Sequence, residues 1–397
     1  GEDAVSQRGL AARTLAAGAL AALLLGGCRP EAETIRIAVA LSPPTHLGAE
    51  LAAREINAAG GVRGARIALE GPGVGGSEPL PTSPSGLLDL ARGFATDPGI
   101  VAVVGHSDSR STLSASALYN QHDLPQIVTI ATHPAITNIG DWTYRLCISD
   151  AAQGPALARY AVGAWGKRRI AVVHVNDDYG RGLAARFVEE VRRLGGEIVA
   201  TLLHRQPMAD DDRATVRREL DRLAAMPRPP DLVALFQRAE DASWTVAALR
   251  DAGLETPLLG GDNLGRSAFL ATDAGRKEGI RVSQFFLVGD ERPETRRFVR
   301  AYRELAGETP DYGHAFAYDA VHLLRRTIEE GGATRAGVKG YLDRLIAEGT
   351  VIEGAGGSYV LAPDHDARRE IYIAEIENGT FRPIATLPTG ERLSETR

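Results

Sequence analysis

The alternation of strand and helix patterns along the chain constrains its fold more than any other feature. Short apolar runs, several of them rich in β-branched residues, predict strands at residues 35–41, 66–70, 100–104, 126–130, 169–175, 198–203, 232–236 and 257–259. Amphipathic patterns between them predict helices at residues 49–59, 85–95, 112–121, 151–165, 183–194, 215–226 and 241–252. Such alternation predicts an α/β fold whose parallel sheets are covered by helices on both faces.

The length of the chain indicates two domains. Its 397 residues exceed what one hydrophobic core usually spans. Two parallel sheets fit this length, divided near residues 146–151. Three further helices are predicted at residues 294–306, 316–330 and 336–347, and residues 370–381 predict a strand and a turn.

The N-terminus carries the pattern of an export signal. Two arginines precede an uncharged apolar run at residues 14–27 that is too short to span a bilayer comfortably. The ending LGGC resembles a bacterial lipobox, whose cysteine receives a lipid. We expect a lipoprotein signal peptide at residues 1–27, lipidation at Cys28 and a tether at residues 28–33. A buried helix with a chance cysteine is the alternative. The mature protein would be exported and lipid-anchored to the bacterial membrane, in the periplasm or at the cell surface.

Charge and motif content argue against several functions. The net charge of −6, without a basic run interleaved with aromatic residues, argues against nucleic-acid binding. If Cys28 is acylated, Cys147 is a free thiol, and no Cys/His spacing resembles a metal site, so we expect neither metal nor cofactor. GxSxG, HExxH and CxxC patterns are absent from the sequence and its nine histidines are scattered, so we expect no enzyme.

Hydroxyl-bearing residues follow two neighbouring predicted strands. Ser109 lies in a polar turn after residues 100–104, and Thr132 follows residues 126–130. Small ligands bind beyond the carboxyl ends of strands in open α/β sheets, and a helix N-terminus attracts anions. The pattern indicates a site for a small polar ligand such as a carboxylate, and ordinary helix capping is the alternative.

Seven blocks of sequence, in order, resemble the Leu/Ile/Val-binding protein family, substrate-binding proteins of ABC transporters with the type I periplasmic-binding fold. They are ELAAREINAAGGVRG (50–64), VVGHSDSRST (103–112), IATHPAIT (130–137), QGPALARYA (153–161), RRIAVVHVNDDYGRGLA (168–184), LRDAGLETPLLGGD (249–262) and AYDAVHLL (317–324). The resemblance implies two doubly wound parallel-sheet lobes, joined by three crossovers near residues 146–150, 283–286 and 371. Lobe 1 would comprise residues 34–148 and 285–370 and lobe 2 residues 149–284 and 371–397, with a ligand cleft that closes between them.

The resemblance also implies a set of ligand-binding residues. Ser109 would bind the ligand carboxylate, Thr132 would contact carboxylate and ammonium, and the Ile130 carbonyl would accept a hydrogen bond from the ammonium. Tyr179 would close over the ligand. Asp262 would pair with the ammonium, because a buried ammonium needs a counter-charge. The alternatives are structural, with Ser109 and Thr132 as caps, Tyr179 as a packing aromatic and Asp262 as a turn residue.

Two arginines depart from the family's pattern. Arg238 stands where the family has a tyrosine, and Arg110 follows Ser109 directly. A guanidinium facing the cleft would favour a ligand with a second carboxylate or another anionic group. Alternatively Arg238 is a solvated surface residue, or it pairs with Asp262. The loop at residues 42–48 is also several residues shorter than the family's.

The sequence therefore predicts an extracytoplasmic substrate-binding lipoprotein of an ABC importer, which captures an amino acid or a related small polar carboxylate or amide. Its partners would be that small-molecule ligand and a permease and ATPase complex, with the lipid anchor as its membrane contact. A sensory or regulatory receptor of the same fold is the alternative, because ligand capture looks the same in both.

Overall fold

The structure is a computed structural model that describes residues 33–277 and 279–387. The predicted signal peptide and Cys28 lie outside the described residues. None of the helices within the described ranges is long and apolar enough to cross a membrane.

Five parallel strands form the first sheet, in the order β2-β1-β3-β4-β5. They are β1 (Thr34–Ala40), β2 (Arg66–Glu70), β3 (Ile100–Gly105), β4 (Gln126–Val128) and β5 (Thr143–Arg145). Helices α1 (His46–Ala58), α2 (Pro84–Thr96) and α3 (Ser109–Gln121) follow the first three strands. Alternate residues of β3 pack into two different apolar clusters, so both faces of this sheet are covered.

Seven strands form the second sheet, in the order β14-β13-β10-β9-β8-β6-β7. They are β6 (Arg169–Val175), β7 (Glu197–His204), β8 (Leu232–Phe236), β9 (Leu258–Gly260), β10 (Ile280–Gln284), β13 (Ile371–Glu377) and β14 (Thr380–Leu387). Its helices are α4 (Asp150–Arg159), α5 (Asp178–Arg193), α6 (Asp210–Ala224), α7 (Ala239–Asp251) and the short α8 (Ser267–Leu270). The sheet is parallel except at β13 and β14, a hairpin whose turn residues Asn378 and Gly379 have φ of 49° and 67°.

Three helices between β10 and β13 return to the first sheet. They are α9 (Pro293–Ala306), α10 (Tyr312–Gly331) and α11 (Arg335–Glu348). Helix α10 packs along α1, and α11 packs against β3. The small hairpin of β11 (Val360–Leu361) and β12 (Ala367–Arg368) precedes β13. The chain therefore passes from one sheet to the other after β5, after β10 and before β13.

The structure departs from the sequence-based expectations in three places. Strands β5, β10, β11, β12 and β14 were not predicted; β5 has three residues, β11 and β12 have two each, and Arg281 and Ser283 interrupt the apolar character of β10. The predicted helix at residues 151–165 is an α-helix up to Arg159 that continues as a π-helical turn (Tyr160–Ala164). The second sheet is not wholly parallel, because its last two strands form a hairpin.

Candidate ligand-binding site

The candidate site lies where the carboxyl ends of strands from the two sheets meet. Ser109 and Thr132 follow β3 and β4 of the first sheet, and Asp262 follows β9 of the second. The two sets of strand ends approach closely, since Arg110 Nε is 3.6 Å from Asp178 Oδ2. This is the position at which open α/β sheets bind ligands.

Ser109 and Thr132 do not cap helices. Asp108 is the N-cap of α3, and its carboxylate accepts a hydrogen bond from a first-turn backbone N–H. The side chains of Ser109 and Thr132 are buried; among the described residues the Ser109 hydroxyl has no hydrogen-bond partner, and the Thr132 hydroxyl has none closer than the Asp150 carboxylate beside it. The strands that precede them, β3 and β4, are neighbours in the sheet, and Leu113, one turn after Ser109, packs against the apolar cluster that contains Ala131, so the two hydroxyls belong to one region. Both hydroxyls can therefore bind a ligand.

Two buried carboxylates, those of Asp150 and Asp262, share one side-chain amide. Gln153 Nε2 donates to Asp262 Oδ1 over 3.0 Å and to Asp150 Oδ1 over 3.3 Å. The Asp150 backbone N–H donates to the Thr132 carbonyl over 2.8 Å, which places Asp150 beside the hydroxyl region. Within the described ranges neither carboxylate forms an ion pair, and Asp150 Oδ2 has no hydrogen-bond partner.

The environment of these carboxylates opposes their ionisation. Burial raises the pKa of Asp150 well above its usual range, and the negative charge of Asp262 raises it further. Burial also raises the pKa of Asp262, although hydrogen bonds from Gln153 and Tyr312 act against that shift. A cation beside both groups would stabilise their ionised forms. The cluster therefore suits an ammonium group.

Two tyrosines flank Asp262. The Tyr312 hydroxyl donates to Asp262 Oδ2 over 2.9 Å. Tyr179, in the first turn of α5, is 5% exposed, and its hydroxyl has no hydrogen-bond partner among the described residues. Ile130, also buried, lies between β4 and Thr132. The structure thus brings Ile130, Thr132, Tyr179 and Asp262 to the facing strand ends.

Glycines permit the close packing of this region. A Cβ atom at Gly182 would lie 3.0 Å from His133 Cδ2 and 3.3 Å from Asp150 Oδ2. A Cβ atom at Gly261 would lie 2.9 Å from the Tyr179 hydroxyl oxygen. All three distances are below ordinary van der Waals contact, so a side chain at either position would displace these groups.

A cavity of about 430 Å³ lies between the first turn of α3 and the segments after β6, β7 and β8. We call it the distal cavity; its polar lining includes Arg110, Arg205, Arg238, Asp108 and Asp177. Arg238 Nη2 donates to Asp177 Oδ2 over 2.9 Å. The expected alternative in which Arg238 pairs with Asp262 is wrong, because hydrogen bonds from Gln153 and Tyr312 hold Asp262.

An ion pair joins the two sheets beside Tyr312. Arg266, just after β9, donates from Nε to Asp311 Oδ2 over 3.0 Å and from Nη2 to Thr45 Oγ1 over 3.2 Å. Asp311 is the N-cap of α10. Burial alone would raise the pKa of Asp311, but the positive charge of Arg266 and the hydrogen bond that Asp311 accepts from the same guanidinium hold it well below its usual range. Arg266 of the second sheet thus contacts the short loop at residues 42–48 through its hydrogen bond to Thr45.

Three residues of this region were not expected from the sequence: Asp150, Gln153 and Tyr312. Gln153 opens one of the blocks that resemble the family, and Asp150 lies three positions before it, on the same face of α4. This spacing was the available signal. An acidic residue in the first turn of a helix is common for electrostatic reasons, so the signal alone is weak.

The fold and the facing strand ends are those of the two-lobed α/β proteins that bind small solutes. The sequence model of the periplasmic binding protein family matches residues 37–380. The chain therefore belongs to the periplasmic binding protein family. The predicted resemblance and the predicted fold class are confirmed.

Individual relatives agree with this assignment. The chain is 28% identical over 287 residues to Leu/Ile/Val-binding protein homolog 1 of Brucella melitensis, covering 72% of this chain and 73% of the relative. It is 26% identical over 289 residues to an amino acid binding protein of Pseudomonas aeruginosa, with 72% and 73% covered. An ABC transporter substrate-binding protein from Desulfitobacterium hafniense, in complex with Leu, superposes with a TM-score of 0.74 at 26% identity, covering 89% of this chain and 100% of that chain.

Proposed function

We propose that this protein is the extracytoplasmic substrate-binding component of an ABC importer and that it captures an α-amino acid by closure of two lobes. The observation that carries the proposal is the pair of buried carboxylates, Asp150 and Asp262, beside the buried hydroxyls of Ser109 and Thr132. A ligand with an ammonium and a carboxylate on one carbon complements both halves of this arrangement.

The carboxylate end of the ligand binds at the first turn of α3. The Ser109 hydroxyl and backbone N–H groups of that turn donate to it, and the positive end of the helix dipole adds to the attraction. The Thr132 hydroxyl donates from the neighbouring strand end. Burial of both hydroxyls makes these bonds stronger than the same bonds in water.

The ammonium end binds between the two carboxylates. Asp262 and Asp150 supply the counter-charge, and the Ile130 carbonyl accepts a further hydrogen bond. Tyr179 covers the ligand from the second sheet, with its hydroxyl beside Gly261. The ligand cation offsets the repulsion between the two buried carboxylates.

Closure brings together lobe 1 (34–148 and 285–370) and lobe 2 (149–284 and 371–397). This division into lobes is supported by the two sheets, because β1 to β5 form one sheet and β6 to β10 belong to the other. Residues from the two sheets also meet directly, as Tyr312 and Asp262 do. The importer role is supported by the likeness to the ABC transporter substrate-binding protein of Desulfitobacterium hafniense, and an exported, lipid-anchored location with Cys28 as the anchor is supported by the lipobox pattern.

Calorimetric titration of the wild type and Asp262→Asn with leucine and with 4-methylpentanoate, its des-amino analogue, tests the amino-acid site. We expect leucine to bind Asp262→Asn about ten- to hundredfold more weakly, because a charge-assisted hydrogen bond is lost. The analogue should be affected far less. Asp221→Asn, on the exposed surface of α6, is the control. An equal loss for both ligands would overturn the role of Asp262.

Uptake measurements separate an importer from a receptor. Deletion of the gene should abolish high-affinity uptake of the bound amino acid, and the intact gene should restore it. Unchanged uptake, together with a lost transcriptional or motility response to the ligand, would favour the sensory receptor.

A further inference from the structure

The distal cavity adjoins the proposed amino-acid site on both sheets. Asp108 and Arg110 flank Ser109 at the start of α3, and Asp177 lies two residues before Tyr179 at the start of α5. The cavity therefore begins within one residue of Ser109 and two of Tyr179, although neither residue lines it.

We infer that a ligand held between Ser109 and Asp262 extends its side chain into the distal cavity and that the cavity recognises an acidic group, so that the ligand is an α-amino acid with a side-chain carboxylate. This inference rests on the proposed function, which it deepens by naming the substrate class. The cavity volume of about 430 Å³ lies within the range of small-molecule sites.

The acceptors of the cavity are already engaged. Asp108 accepts from the Ser111 backbone N–H over 2.9 Å and from the Ser111 hydroxyl over 2.7 Å. Asp177 accepts from the Gly180 backbone N–H over 2.9 Å and from Arg238 over 2.9 Å. Both aspartates are N-caps, so the positive ends of two helix dipoles offset their charges.

The donors of the cavity are in surplus. A guanidinium has five N–H groups, and among the described residues Arg238 uses a single one, toward Asp177. Arg110 makes an ion-pair contact of 3.6 Å with Asp178 and remains 60% exposed. Arg205 is held by Asp211 and Asp212 through Nη2 and Nε, which leaves Nη1. Guanidinium groups bind carboxylates and phosphates through paired N–H donors, and of these two a carboxylate is the group that an ordinary amino-acid side chain carries.

The apolar residues that line the cavity suit a short aliphatic chain of the ligand. Pro84, Leu87 and Leu88 of α2 line the same cavity. Methylene groups between the α-carbon and the side-chain carboxylate would pack against them. Glutamate has this form, and glutamine matches it in shape without the charge.

Titration of the wild type with glutamate, glutamine and leucine tests the inference, and Arg238→Gln and Arg110→Gln remove the proposed donors. Arg228→Gln is the matched control, because Arg228 is exposed and precedes β8, at the opposite end of the sheet. Thermal unfolding of each variant confirms that it folds.

We expect the wild type to bind glutamate at least tenfold more tightly than glutamine, and Arg238→Gln to reduce this preference at least tenfold. Arg110→Gln should reduce it to a smaller extent, and Arg228→Gln should leave it unchanged. The preference should also fall as salt concentration rises. Tight leucine binding without glutamate binding would overturn the acidic ligand and leave the proposed function intact. Failure of every amino acid to bind would overturn both.

Discussion

Arg266 and Asp311 form an ion pair that crosses from the second sheet to the first. Nε and Oδ2 are 3.0 Å apart, and the two side chains are 19% and 6% exposed. The residue after Asp311 is Tyr312, whose hydroxyl donates to Asp262 in the proposed ligand site. The ion pair therefore stabilises the arrangement in which Tyr312 reaches Asp262.

We predict that Arg266→Gln weakens ligand binding through closure. The substitution removes an ion pair between the second sheet and the N-cap of α10, so the open arrangement of the proposed closure gains relative to the closed one. Affinity should fall about ten- to hundredfold, on the basis of about 1.5–3 kcal/mol for a charge-assisted bond. Solution scattering should give a larger radius of gyration without ligand and the wild-type radius at saturation.

The control for this variant is Arg276→Gln, whose ion pair with Asp273 is exposed and local. It should change neither affinity nor radius. If Arg266→Gln binds ligand as the wild type does, the ion pair has no part in closure.

A second prediction separates function from stability on one helix. Ser109→Ala should raise the free energy of unfolding by about 1 kcal/mol, because it removes a buried hydroxyl that has no partner among the described residues. Ser116→Ala should lower it by about 1–2 kcal/mol, because the Ser116 hydroxyl bonds to the Thr112 carbonyl and to Gln126. Urea denaturation measures both.

The two substitutions should affect ligand affinity differently from stability. Ser109→Ala should weaken the proposed amino-acid ligand at least fivefold, whereas Ser116→Ala should leave its affinity nearly unchanged. If stability falls in Ser109→Ala as it does in Ser116→Ala, Ser109 has a structural partner and its proposed role is wrong.

A third prediction concerns pH. Burial raises the pKa of Asp150 above the ordinary value of 3.8. The ionised form of Asp150 therefore lowers the free energy of unfolding. This destabilisation disappears as pH falls through the raised pKa, because the carboxyl group is then protonated. The stability of the wild type relative to Asp150→Asn should therefore increase as pH falls toward 3.8. Amino-acid affinity should decrease over the same range, because the ammonium needs ionised carboxylates.

Paired denaturation and calorimetry across that range measure both trends. Asp150→Asn should lose most of the pH dependence of amino-acid affinity and leave the part due to Asp262. Parallel pH profiles for the wild type and the variant would show that Asp150 does not titrate there.

The lipid anchor is the fourth prediction. Cys28→Ser should remove the acylated residue and release the protein from the membrane fraction or leave it unprocessed. Fractionation with metabolic labelling by a fatty-acid probe measures both outcomes. Membrane attachment that persists with full processing would reject the lipobox.

Much of the fold could be predicted because its strands are long enough to show their pattern. The bounds of β2, β6 and β8 agree with the sequence-based prediction to the residue, since each has five or more residues with a largely apolar centre, and β6 and β8 are also almost wholly buried. Strand β5 has three residues and no such pattern. Its place is fixed by pairing with β4, and pairing between strands is not visible in a single sequence.

Some residues of the candidate site could also be predicted from the sequence, and others could not. Ser109 and Thr132 could be named because each follows a recognisable strand, and Tyr179 and Asp262 because they lie in blocks of sequence that resemble the family. Tyr312 could not, because it lies fifty positions from Asp262 along the chain and meets it only through tertiary packing. Arg238 was named, but its partner was not, since Asp177 is brought to it by the pairing of β6 with β8.

The close packing at Gly182 and Gly261 restricts substitutions near Asp150 and Tyr179, whereas the distal cavity carries no such restriction. At Gly182 and Gly261 even a methyl group would press on Asp150 or on the Tyr179 hydroxyl. An engineer seeking a sensor for a new compound should therefore keep this inner region and vary the loop and first-turn positions of the distal cavity, such as Leu87, Arg110 and Arg238. Libraries restricted to these positions of the distal cavity would change which ligand side chain is accepted and would leave the proposed contacts to the ammonium and carboxylate groups unchanged.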